Sequence, residues 1–201
     1  MKAPIRGWIA LIIFIPFLTI CGCSEKYTPK PHGYFRIEFP EKNYQKIPDK
    51  FPYQFEIPTY SVITHDRFAP DSTDWINVTV PENKAEVHIS YYSLKNQKKS
   101  AHEFLTELME ESHELAYKHT IKADAIEEQV FMNPSNNVFG LIYRIEGNAA
   151  SPFQFFLTDS TTNFLRGALY INEVPNIDSI KPVIDFLEPD IIHMIESTSW
   201  K

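Results

Sequence analysis

Thirteen uncharged residues, Trp8 to Ile20, follow two early cations, Lys2 and Arg6, and are broken only by Pro16. A charged start and a short apolar run is the layout of a secretory signal peptide. A spanning helix needs about 20 apolar residues, so a permanent membrane helix is the weaker reading. After the run the pattern becomes extended and proline-punctuated. In Gly33-Tyr34-Phe35-Arg36-Ile37-Glu38-Phe39-Pro40 and again in Phe51-Pro52-Tyr53-Gln54-Phe55-Glu56-Ile57-Pro58, apolar residues alternate with polar ones. Both segments predict edge strands with one buried face.

The period of two continues through Trp75–Val80 and Ala85–Tyr91, which place Ile76, Val78 and Val80, then Val87, Ile89 and Tyr91, on one face. Pro81-Glu82-Asn83-Lys84 between them predicts a hairpin connection. At Ser100 the period changes. Ser100 and Glu103 have the spacing of a capping box, and Ala101, Phe104, Leu105, Leu108, Met109, Leu115 and Ala116 fall at helical intervals. Glu103, Glu107, Glu110, Glu111 and Glu114 then form a solvated opposite face.

Three extended runs follow, Val138–Ile145, Phe153–Thr158 and Phe164–Ile171, separated by Gly147-Asn148 and by Asp159-Ser160-Thr161-Thr162-Asn163. Such turn formers predict a three-stranded antiparallel meander. A last helix, about Ser179 to Ser197, starts at Asp178 and Ser179, carries Pro182 in its first turn, and keeps Ile180, Ile184, Leu187, Ile191 and Ile195 on one face. Pro189 predicts a kink there without a break. Strands, helix, strands and helix describe an α+β domain, an antiparallel sheet packed against two amphipathic helices.

The signal run ends in Ile20-Cys21-Gly22-Cys23. The sequence resembles a bacterial lipobox, in which the residue before the acylated cysteine is small; Gly22 satisfies this for Cys23, and Ile20 fails it for Cys21. The organisation expected is a lipoprotein signal peptide over 1–22, a lipidated stalk over 23–32 and one α+β domain over 33–201. Pro29, Pro31, Pro40, Pro48, Pro52 and Pro58 extend the chain after the anchor. Ser24 stands where an Asp would signal inner-membrane retention, so passage to the outer membrane is open, and several acyl chains give stable anchoring. A secreted protein with two coincidental cysteines is the competing reading. With Cys21 removed and Cys23 acylated, no thiol is left for a disulfide or a metal.

Net charge is −7, and −9 once Lys2 and Arg6 leave (17 Lys and Arg against 26 Asp and Glu), which disfavours nucleic acid as a partner. No catalytic signature emerges. His102-Glu103 begins a zinc-helix motif that Thr106 breaks, and His113 and His119 lie six residues apart, on different helix faces. No G-x-S-x-G elbow or Gly-rich phosphate loop is present, and Ser151 and Ser160 lack the surroundings of an activated nucleophile. The expectation is a non-enzyme without cofactor or metal. Five aromatics and three leucines in the runs 153–160 and 164–170 suggest a sheet covered on both faces. Arg166, interrupting that hairpin, is either paired with Asp159 or Asp185 or reserved for a partner or ligand.

Read in order, Gly33–Ile37, Phe51-Pro52-Tyr53, Trp75-Ile76-Asn77, His88–Tyr91, Lys118-His119, Ser151–Ser160, Phe164–Tyr170 and Pro175–Ser179 resemble the GldD family of gliding-motility lipoproteins of Bacteroidetes. The resemblance implies a place in the gliding machinery and in the associated type IX secretion system, with other proteins of those machines as partners and no reaction. It implies an envelope lipoprotein; Ser24-Glu25-Lys26, with a single acid, favours the outer membrane facing the periplasm over surface display. Arg166, Phe153, Phe155 and Phe164 are the candidate partner-binding residues, although these aromatics could equally be core. A ligand-binding or hydrolytic lipoprotein acting on cell-wall or lipid material is the alternative, and a passive spacer a third.

Overall fold

In the computed structural model the residues described are 38–65, 73–95, 98–118, 123–173 and 177–201. The signal segment, Cys23, the stalk and Tyr34–Ile37 lie outside them. Eleven strands and two α-helices are present among these residues: β1 (Tyr44–Lys46), β2 (Tyr53–Gln54), β3 (Glu56–Pro58), β4 (Val62–His65), β5 (Ile76–Val80), β6 (Ala85–Ser93), α1 (Ala101–Tyr117), β7 (Ala123–Asn133), β8 (Val138–Gly147), β9 (Phe153–Thr158), β10 (Asn163–Ile171), α2 (Ile177–Glu196) and β11 (Ser199–Trp200). Seven of the strands form one antiparallel sheet in the order β4-β5-β6-β10-β9-β8-β7. The α+β class is as the periodicity indicates.

The sheet has a helix on each face. Because side chains alternate across a strand, Ile76, Val78, Val87, Ile89, Leu165, Leu169, Phe153, Phe155 and Ile142 share one core with Leu187, Ile191, Met194 and Ile195 of α2. On the other face Tyr143, Ile145, Phe156 and Phe164 pack with Leu105, Leu108 and Ala116 of α1. The meander β8-β9-β10 and the hairpin β5-β6 occur where the turn formers place them.

Two hairpins turn by the same chemistry. Pro81–Asn83 and Pro134–Asn136 each form one turn of 3-10 helix, closed by a residue in the left-handed region, Lys84 (φ 49°) and Asn137 (φ 52°). The N–H of each donates to the carbonyl of its proline, at 3.1 and 3.2 Å. Proline fixes the first φ of such a turn and needs no donor there.

Helix α1 follows its cap, whereas α2 is already helical at Ile177, ahead of the start expected at Asp178 and Ser179. Ser100 Oγ accepts the Glu103 N–H at 3.2 Å, and the five expected glutamates of α1 are exposed. Helix α2 runs unbroken through Pro182 and Pro189, both exposed. A helix proline strands carbonyls in the preceding turn; the Phe186 carbonyl, three residues before Pro189, accepts from Lys42 Nζ at 2.6 Å. Among the described residues no helix is long and apolar enough to cross a membrane.

The early proline-rich segments depart from expectation. Glu38–Pro40 is not a strand, and the Phe51–Pro58 run divides into β2 and β3. These strands stay off the main sheet: β3 pairs with β1 and β2 with the C-terminal β11. Their alternation is nonetheless real, since Phe51, Tyr53, Phe55 and Ile57 are all buried. They lie over the α2 side, where Tyr44, Tyr60 and Lys42 converge on Asp190.

Candidate functional site

The aromatics singled out from sequence are core. Phe153 and Phe155 are 2% exposed and Phe164 0%, so none offers a surface to a partner. They face opposite ways, which fulfils the expected two-sided cover. Phe155 lies under the α2 face against Gly167, whereas Phe164 stacks on Phe156 at 5.5 Å on the α1 face. Arg166 is paired, but with neither expected acid. Its Nη1 lies 3.4 Å from Glu111 Oε1 on α1. Asp185 is engaged by Lys181 at 3.0 Å, and Asp159 is consumed by its own turn, accepting the N–H groups of Thr161, Thr162 and Asn163 at 2.7 to 2.9 Å.

The titratable candidates remain apart. Ser151 is fully buried and its Oγ has no hydrogen-bond partner among the described residues; Ser160 occupies the left-handed region of its turn (φ 66°). His113 lies over Tyr117 with ring centres 4.3 Å apart, and His119 falls outside the described residues. No group of three potential metal ligands occurs among the described residues.

Two concave surfaces flank the sheet. The first is a cleft of about 440 Å³ between β8 and α2, with Arg144, Phe153, Lys181, Asp185 and Glu188 on its walls. Its cations are neutralised in place: Arg144 Nε lies 2.5 Å from Glu188 and its Nη1 donates to Gln129 at 2.7 Å, while Lys181 holds Asp185.

The second, about 410 Å³, is a groove between α1 and the β8–β9 face, floored by Leu141, Tyr143 and Phe156 and walled by Met109, Glu110, His113 and Glu114. It exists because α1 lies over β9 and β10 and leaves the outer strands of that face open. Burial, with the carboxylate of Glu128 and the Tyr117 hydroxyl nearby, pushes the Tyr143 phenol up to about 12. Glu128 accepts from the Tyr117 hydroxyl at 2.8 Å and lies 3.7 Å from His113 Nδ1, joining α1 to β7.

Beyond the groove lies β7, which sequence periodicity did not reveal. It pairs with β8 along Ile126↔Ile145, Glu128↔Tyr143, Val130↔Leu141 and Met132↔Phe139, so these four residues share the groove's face. Val130 is 67% and Met132 69% exposed, and β7 ends the sheet. An apolar stripe therefore runs Val130–Leu141–Phe156 from the sheet edge into the groove. Exposed residues on both faces erased the alternation that marks a half-buried strand. The detectable signal was the Pro134-Ser135-Asn136-Asn137 turn, which repeats the Pro81–Lys84 design and implies a strand before it.

Of the comparisons with known proteins, the family model agrees with the resemblance read from sequence. No curated protein matches the chain. A solved structure, the solution structure of cyanobacterial PsbP (CyanoP) from Synechocystis sp. PCC 6803, is similar at 13% identity over 84% of this chain and 98% of that one, with a TM-score of 0.44. The model of the family described as gliding motility lipoprotein GldD matches residues 24–200. With the family model covering nearly the whole chain, the protein belongs to the GldD family of gliding-motility lipoproteins.

Proposed function

We propose that this chain is a non-enzymatic lipoprotein, anchored through an acylated Cys23 in the outer membrane and facing the periplasm, that supports gliding motility and type IX secretion through contacts with other proteins of those machines. The observation that carries the reading is the surface on the α1 side. There, a lipoprotein of a motility family exposes Val130 and Met132 at a sheet edge that continues into an apolar groove. Exposed apolar area rimmed by charge is characteristic of a protein contact site.

Deleting the gene tests the reading: colony spreading and adhesin export are expected to stop, and a Cys23→Ala chain is expected not to restore them. Normal spreading and export in the deletion strain would overturn the proposal. The cleft beside Arg144 and Lys181 favours a second reading, a ligand-binding lipoprotein acting on cell-wall or lipid material. It is the lesser one, because both cations are already held by Glu188 and Asp185.

A further inference from the structure

An edge strand carries a row of backbone donors and acceptors that can template another strand, and folded proteins blunt such edges with shortness, charge or cover. The two edges of the main sheet differ in this respect. β4 is short, four residues. β7 is eleven residues long, and no strand among the described residues pairs with its outer side. Asp124, Ala125, the run Glu127–Val130 and Met132 are exposed.

From these features we infer that the outer edge of β7 is a docking edge for an extended segment of a partner protein that carries lysine or arginine among apolar residues. The segment adds to the sheet as an eighth strand. This deepens the proposed protein-contact function and rests on it.

The geometry supplies the apolar half of the recognition. An added strand lies about 4.8 Å beyond β7, and its alternate side chains fall in line with the cross-strand rows of the sheet. On the groove side those rows already run Val130–Leu141–Phe156 and Met132–Phe139. Apolar residues of the incoming strand would extend these rows and cover side chains that are now two-thirds in water. Backbone pairing would supply affinity and the alternate side chains selectivity, as in strand addition generally.

Charge decides the occupant. Strand β7 contains Asp124, Glu127 and Glu128 and no Lys or Arg. Glu127 and Glu128 project to opposite faces, and Glu110 and Glu114 wall the groove. Glu128 is tied to α1. The carboxylates of Glu110, Glu114 and Glu127 have no hydrogen-bond or ion-pair partner among the described residues. A second copy pairing edge to edge would bring together two acidic strands with no Lys or Arg in either to offset them. A basic segment turns the same charges into attraction on both faces.

The test uses the full-length lipoprotein in its own envelope. A photoreactive amino acid replaces Val130 or Met132, and Val62, 49% exposed on β4 at the opposite edge, serves as control. Crosslinked peptides are sequenced to locate the captured residue. The expected capture at 130 and 132, absent at 62, maps to one partner segment containing Lys or Arg among apolar residues. A charge-reversed chain, E110K with E127K, is expected to lose about tenfold of that capture, as two interactions of about 0.7 kcal/mol each would give. Both sites are exposed, and an unchanged melting temperature certifies the fold.

Capture of a second copy, of lipid or of an acidic segment overturns the inference, as does no capture or undiminished capture by the charge-reversed chain. The underlying reading fails separately. If the deletion strain spreads normally the motility role is lost, whereas if only the β7 variants spread normally and capture nothing, this docking edge alone is refuted.

Discussion

The hydroxyl of Tyr44 donates to Asp190 Oδ1 at 2.8 Å, joining the first strand of the domain to the middle of its last helix. Tyr60 donates to the other oxygen of the same carboxylate, and Lys42 Nζ lies 2.8 Å from Oδ1. Asp190 is 3% exposed, and the three donors supply the hydrogen bonds that water cannot reach it to make. Around the node, Phe39 stacks on Phe186 at 4.1 Å and Tyr44 on His193 at 3.7 Å.

Removing the acceptor leaves donors stranded in a desolvated place. Asp190→Ala is expected to cost about 2–4 kcal/mol, with the lower part of that range reflecting the water still reaching Lys42. Asp190→Asn, which keeps the acceptor oxygen but not the charge, should cost less. Urea unfolding of the two variants against the parent measures the difference; equal stability of all three would show that the node is dispensable.

Asp159 should make the fold acid-sensitive. Burial alone would raise its carboxyl, but the N–H groups of Asn163, Thr162 and Thr161 and the Asn163 amide outweigh it, and the net shift is downward. A carboxyl depressed below its unfolded value of about 3.9 contributes stability that is complete above that value. The contribution is lost as the pH falls through the folded pKa. Asp159→Asn is therefore expected to be less stable than the parent at pH 7 and to converge with it as the pH falls through the depressed folded-state value, as followed by thermal melting across pH. Parallel curves would contradict this.

Gly167 is small because Phe155 is large. A Cβ on Gly167 would lie 2.2 Å from Cζ of the Phe155 ring on the neighbouring strand, a clash. Overpacking such a site costs about 1–3 kcal/mol, so Gly167→Ala is expected to destabilise by that amount. Phe155→Leu should destabilise on its own yet relieve part of the cost in the double variant. A double-variant cycle with no coupling would refute the contact.

Arg166→Ala should be nearly silent in stability. Its pairing with Glu111 at 3.4 Å is half in water on the acid side, and such exposed pairs contribute about 0–1 kcal/mol. A loss above about 2 kcal/mol by chemical denaturation would mean that the guanidinium holds α1 to the sheet more firmly than this geometry implies.

What sequence made visible was local. Ser100 with Glu103, the Pro81 turn and the Asp159–Asn163 turn each state their structure within a few residues, and α1, the β5-β6 hairpin and the β8-β9-β10 meander follow. What it hid depends on residues far apart. The alternation of Phe51 to Ile57 announced a buried face but not that β2 would wait for β11, more than 140 positions later. Arg166 announced a charge in an apolar hairpin but not Glu111. Strand β7, exposed on both faces, had no period to read, and the groove is a property of where α1 stops covering the sheet. The candidate site was therefore the least legible part of the chain.

The Asp190 node has a mechanical meaning. Under the proposed anchoring at Cys23, a pull arriving from the N-terminal side would meet Phe39, Lys42 and Tyr44 early among the described residues. These residues grip α2, whose far end continues into β11, hydrogen-bonded back to β2. A load entering that way would pass into a closed loop formed by the first and last described elements of the domain before it reached the sheet bearing β7.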